Sequence, residues 1–148
     1  AEEPTASLDL LALDAFSSDA VPMHLMTAEA FATYARVLAR SGVLLVHISN
    51  RFLDLAPVVA AAGARGGWHG ARLDYTPSAL DLVNEASVSD WIALSRDKAA
   101  LDRLVARGGG WRALKVTPGF TGWTDDYASI MPVLRPPRMP WDIRTTTP

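Results

Sequence analysis

Leu8-Asp9-Leu10-Leu11-Ala12-Leu13-Asp14-Ala15-Phe16 is the stretch on which the fold turns. From Leu10 to Leu13 it is wholly apolar. An unbroken apolar run suits a strand covered on both faces of a parallel sheet, whereas a half-solvated strand alternates. A carboxylate, Asp14, follows at once. In open α/β sheets ligands bind beyond the carboxyl ends of the strands, so Asp14 stands where chemistry is expected.

Downstream of this strand, Thr27 is a candidate helix N-cap with Glu29 in the first turn. Phe31, Tyr34, Ala35 and Leu38 recur at helical spacing and form one apolar stripe. Gly42 is placed to end that helix in a left-handed cap. Val43-Leu44-Leu45-Val46-His47-Ile48-Ser49 reads as a second strand, and strand–helix–strand predicts a parallel, right-handed unit. Asp54 is read as the cap of a second helix carrying Leu55, Val58, Val59 and Ala62, with Pro57 in its first turn and Gly63, Gly66 and Gly67 ending it. Ala71–Tyr75 and Trp91–Ser95 are two further strands. The segment between them is too short for an ordinary crossover, so they are expected to form an antiparallel edge pair, with one helical turn allowed between residues 77 and 88. Asp97 caps a third helix. Thr124 is read as the cap of a fourth, holding Tyr127, Ile130, Met131 and Leu134.

The reading is therefore one α/β domain over residues 8–134. Its partial doubly wound sheet has about four strands, a parallel pair and an antiparallel edge pair, with helices on both faces. Residues 1–7 are expected to be a disordered lead, and 135–148 a proline-rich extended tail.

Composition narrows the function by exclusion. A net charge of −2 over 148 residues leaves no basic footprint for nucleic acid. The absence of cysteine removes thiol catalysis and disulfides. No apolar run reaches the ~20 residues of a membrane span, so no membrane contact by this segment is expected. The start, Ala1-Glu2-Glu3-Pro4, has neither an initiator methionine nor the look of a signal peptide, which is the pattern of a piece of something longer. The histidines at 24, 47 and 69 lack the spacing of a metal set, and no metal is expected.

The strand-end rule selects two segments, residues 14–22 and 49–51. Asp14 and Asp19 are the candidates for acid–base work or amine binding, since a partly shielded carboxylate can take a proton from an ammonium group. They serve equally well as loop caps, with Ser17 and Ser18 making local turn bonds. Ser49, Asn50 and Arg51 line the same crevice or form a plain strand-to-helix turn. His47, after four apolar residues, reads as a hydrogen-bonded core histidine. A Ser17–His47–Asp14 triad can be written, but no Gly-x-Ser-x-Gly elbow supports it. Asp125 and Asp126 either face the crevice or stand as first-turn acids that favour a helix dipole. Gly108-Gly109-Gly110 follows a helix and so is not a phosphate cradle.

Taken together, Leu13–Pro22, His24-Leu25, Thr27-x-Glu29-Ala30-Phe31, Gly42-Val43-Leu44, His47-Ile48-Ser49-Asn50-Arg51 and Trp123-Thr124-Asp125-Asp126-Tyr127 resemble the spermidine-synthase-like proteins. They are most similar to the branch fused to transporter-like membrane segments. The resemblance runs from about residue 8 to residue 135. It implies a Rossmann-like sheet of the class I methyltransferase type, in which these strands are the fourth to seventh. It also implies aminopropyl transfer from decarboxylated S-adenosylmethionine to a diamine. Asp14 matches the first acid of the family's Asp-x-Ser-Asp-Pro loop and Asp19 the second, with Ser17, Ser18, Asn50 and Asp125 as substrate-binding candidates. By the same resemblance the nucleoside-gripping portion lies upstream of residue 1. No cofactor is then expected in this chain alone, and decarboxylated S-adenosylmethionine or S-adenosylmethionine is expected in the full domain. A half-domain that is inactive alone is one expectation, and a binding module that kept the fold is the other. Either leaves the Leu8–Phe16 edge open. A homodimer through that edge, or cover by the missing amino-terminal half, is expected. The expected placement is cytoplasmic, as the soluble domain of a membrane-anchored protein or otherwise.

Overall fold

The computed structural model describes residues 3–15 and 22–136. Leu8–Leu13 forms β1 and pairs in parallel with β2, Leu38–His47, with Leu10 facing Val43 and Leu13 facing Val46. Between them runs α1, Ala28–Val37. Thr27 caps it as expected, its Oγ1 accepting from Ala30 N at 3.2 Å. The helix ends earlier than its apolar stripe. Leu38, fully buried, takes an extended conformation and pairs with Leu8, so strand pairing overrides the helical periodicity. Gly42 consequently lies inside β2 and caps nothing.

Ala56–Arg65 forms α2, with the Asp54 carboxylate accepting from Ala56 N at 3.3 Å. Gly66 ends it, while Gly63 lies within the helix and is packed against Leu94 and Trp68. His69–Tyr75 forms β3 and Ser89–Ser95 forms β4. These two are antiparallel, as the short connection requires, and the single helical turn between them is α3, Ala79–Val83. A strand with no apolar pattern, Arg112–Ala113, adds β5 to the outer side of β3. The sheet order is β1-β2-β4-β3-β5, so β4 inserts antiparallel between β2 and β3.

One face of the sheet packs on α1 and α2 through Phe31, Leu44, Val46, Val58, Val59, Trp68 and Ile92. The other packs on α4, Lys98–Ala106, through Val43, Leu45, Ala71, Ala93, Leu101 and Trp111. Asp97 caps α4 as expected, accepting from Ala99 N.

The fourth helix predicted from Thr124 is not there. Residues 119–130 run as turns and extended chain, Gly119 and Gly122 take positive φ, and only Met131–Val133 makes a 3-10 turn. Tyr127, Ile130, Met131 and Leu134 are exposed and do not form a buried stripe. The burial is done by Trp123 and Val133 instead. Residues 3–7, in the stretch read as a disordered lead, form a turn in which Ala6 N and Glu3 O bond to Arg36. No helix among the described residues is long and apolar enough to cross a membrane.

Candidate functional site

The carboxyl ends of β1 and β2 lie side by side, and their polar side chains meet there. Along β2, side chains two apart share a face. Val46 and Ile48 enter the core while His47 and Ser49 turn to the other side. Asp14 emerges next to them because Leu13 is in register with Val46. The result is a hydrogen-bonded chain. Asp14 Oδ1 lies 2.7 Å from His47 Nδ1, and His47 Nε2 lies 2.7 Å from Ser49 Oγ. Ser49 Oγ also accepts from the backbone N–H of Asp90 at 2.8 Å, which ties in the start of β4. Trp91 stacks on the imidazole with ring centres 4.6 Å apart and planes 17° apart. The side chain of His47 is 21% exposed and that of Asp14 is 64% exposed, so the acid is open to an incoming group.

Asn50 closes the turn after β2. Its Oδ1 accepts from Phe52 N at 2.9 Å and Leu53 N at 2.8 Å, so that half of the amide caps the strand-to-helix turn. Its Nδ2 is buried without a partner. Ser49 and Asn50 line a crevice of about 420 Å³ whose other walls include Arg51, Tyr75 and Asp90. At its floor the Arg72 guanidinium forks onto Asp90, at 3.0 and 2.5 Å, and reaches Asp74 at 2.9 Å. Arg112 closes the network on Asp74. The half-burial of Asp90 pushes its carboxyl above the ordinary range against the pull of Arg72. Hydrogen bonding to Asp90 holds Arg72 above its own range.

Asp125 belongs to a second cluster. Its Oδ1 accepts from Thr27 Oγ1 at 2.7 Å, and its backbone N–H donates to Glu29 Oε2 at 3.0 Å. It therefore braces the N-terminus of α1 from a turn, not from the first turn of a helix. With His24, Thr27, Glu29 and Thr124 it lines a crevice of about 690 Å³. Ser17, Ser18 and Asp19 lie outside the described residues. Of the six predicted site residues the structure thus places Asp14 and Asn50 at adjoining strand ends and Asp125 in a separate cluster at the N-terminus of α1. The serine that completes the histidine's bonding is Ser49, two residues further along the chain and just past the end of β2, and not Ser17. The period-two spacing of His47 and Ser49 was the signal for it. Among the described residues no group of three His, Asp or Glu side chains could hold a metal ion.

A parallel pair followed by an antiparallel strand inserted before the next one, with helices on both faces, defines a Rossmann-like α/β domain of the methyltransferase type. No protein-family model matches the chain, and no curated protein matches it. The crystal structure of a probable spermidine synthase from Corynebacterium glutamicum ATCC 13032 superposes with a TM-score of 0.52 at 16% identity. The match covers 85% of this chain and 50% of that one, so this chain spans half the length of its neighbour. The chain has a spermidine-synthase-like fold.

Proposed function

We propose that this chain is the acceptor side of a spermidine-synthase-like transferase domain, the carboxyl-terminal half, whose nucleoside-gripping portion is supplied by another segment. In this reading Asp14 binds the ammonium group of a diamine and takes its proton as the amine attacks, and Asn50 lines the adjoining crevice, while Asp125 would bear on the substrate only from its separate cleft beside α1. One observation carries it: a solvent-open carboxylate, held at the carboxyl end of a parallel strand beside a polar crevice, in a sheet of this topology. Asp19, Ser17 and Ser18 would complete the loop. The donor, decarboxylated S-adenosylmethionine or S-adenosylmethionine, needs contacts beyond this chain. Transfer requires both reactants in register, so the chain alone is inactive.

The test is a pair of NMR titrations of the 148-residue chain. With 1,4-diaminobutane, shifts are expected at Asp14, His47 and Asn50, and Asp14→Asn should weaken binding about tenfold, the worth of one charge-assisted contact. With an S-adenosylmethionine analogue no shifts are expected. Nucleoside binding by the chain alone, or diamine binding indifferent to Asp14, would refute the reading.

A second reading, a pairing module that kept the fold, is favoured by one feature. Among the described residues β1 pairs only with β2, and Leu10 on it is 56% exposed. An unpaired apolar edge is a template for another strand. Light scattering should then give twice the 15.9 kDa chain mass, and Leu10→Lys should return it to the single mass without unfolding. A wild-type chain that stays single at all concentrations would remove this reading.

A further inference from the structure

We infer that His47 is the positioning residue for Asp14, and that Ser49 and Trp91 exist at this strand end to hold His47 in that task. The inference rests on the amine-site reading above for what Asp14 does, and on geometry alone for what His47 does.

The imidazole is restrained three ways. Asp14 holds Nδ1 at 2.7 Å, Ser49 holds Nε2 at 2.7 Å, and Trp91 lies flat against the ring. The bond polarity follows from the partners. An ionised Asp14 can only accept, so Nδ1 must carry a proton. When the ring is neutral, Nε2 then has a lone pair and must accept, and the Ser49 hydroxyl supplies the donor. One Ser49 lone pair is already taken by the Asp90 amide, which leaves its single proton free to point at Nε2. When the ring is doubly protonated, Nε2 donates and the Ser49 hydroxyl rotates away. Every protonation state keeps both bonds, so the grip on Asp14 Oδ1 does not lapse. The carboxylate's rotation is thereby fixed, and Oδ2 is the oxygen offered to an ammonium group. A simple staple between two strands would need the first bond only. It would not need a serine anchored on a third strand or a stacked indole behind the ring.

Two substitutions test the bond to Asp14, because the Asn amide nitrogen overlays Nδ1 and the Gln amide nitrogen overlays Nε2. Nitrogen-15 NMR of the intact chain, at a pH where the ring is neutral, should show His47 in the Nδ1–H tautomer. Asp14→Ala should drive it to the Nε2–H form. In the 1,4-diaminobutane titration, His47→Asn should stay within about threefold of wild type, while His47→Gln should lose about tenfold, one hydrogen bond to a charged group. Urea unfolding of both variants reports whether the fold is intact. An Nε2–H tautomer in the wild type, or equal losses for Asn and Gln, overturns the inference. So does stoichiometric labelling of Ser49 by a fluorophosphonate, which would make the trio a nucleophile triad. If the wild type does not bind the diamine, the amine reading fails, while the tautomer result still decides whether His47 Nδ1 donates to Asp14.

Discussion

Trp123→Ala is expected to destabilise the chain by about 3–5 kcal/mol, the range for emptying a large buried aromatic site. Trp123 is 2% exposed, so nearly all of the indole is removed from water. Its Nε1 donates to Ser129 O at 2.9 Å, and its carbonyl accepts from Ala28 N at 3.0 Å. The ring thus fills the core under α1 while its backbone forms a bridge to Thr27. Truncation leaves a cavity and an unmatched Ser129 carbonyl, and it loosens the turn that brings Asp125 to Thr27. Against a typical total of about 5–15 kcal/mol, that loss is a large share. Urea unfolding should show it as a lower midpoint at unchanged slope. Trp123→Phe keeps much of the volume and loses the bond, and about 1–2 kcal/mol is expected. Tyr127→Ala and Met131→Ala, at exposed positions, should change stability by under about 0.5 kcal/mol. A large cost at those two positions, with little at Trp123, would reinstate the helix that the spacing predicts.

That contrast explains which parts of the fold are legible in the residues. Strands and helices whose apolar pattern is long and whose caps are local could be read directly. Val43–His47, the Thr27 and Asp97 caps and the β3–β4 pairing all follow from short-range chemistry, and so does Leu10–Leu13 as a strand, though Leu10 and Ala12 are exposed and the strand is not covered on both faces as its apolar run predicts. What could not be read depends on distant partners. The pattern at Tyr127, Ile130, Met131 and Leu134 is helical in spacing. However, the glycines at 119 and 122 and the docking of Trp123 hold the segment extended. Arg112–Ala113 is a strand only because β3 offers it an edge. The site divides in the same way. That Asp14 and Asn50 stand at the ends of neighbouring strands was legible from the apolar runs they follow. The Asp14–His47–Ser49 chain required knowing that β1 and β2 are neighbours in a register that brings Leu13 to Val46. Asp125 does not line the strand-end crevice and stands in no helix; it lies in a separate cleft because its partner, Thr27, far away in sequence, holds it there.

Gly42→Val is expected to cost about 2–3 kcal/mol, the upper part of the range for overpacking, and to do so by releasing β1. A Cβ at Gly42 would come 2.9 Å from Ala39 O and 3.0 Å from Leu8 O. Both are backbone atoms, so neither can swing aside as a side chain would. The Gly42 carbonyl is itself fixed, accepting from the buried Ser95 hydroxyl at 2.9 Å. The Ala39 O contact lies within β2 and distorts that strand locally, whereas the Leu8 O contact, with β4 tied, is relieved only by moving β1. This is the place where its pairing register jumps, from Leu8 facing Leu38 to Leu10 facing Val43. Amide hydrogen exchange should show faster exchange along Leu8–Leu13 with β3 and β4 unchanged, since locally opened units exchange independently. The site responds through the same strand. If β1 lifts, Asp14 leaves His47 Nδ1, and the ring should shift toward the Nε2–H tautomer as it does in Asp14→Ala. Loss of β1 protection without any change at His47 would break the link between strand docking and the acid's position. An unaltered exchange pattern would mean that Gly42 is not where β1 makes its close approach. Both effects together tie the fold to the chemistry through one missing methyl group, since the absence of a Cβ at Gly42 is what lets the strand bearing Asp14 lie against the strand bearing His47.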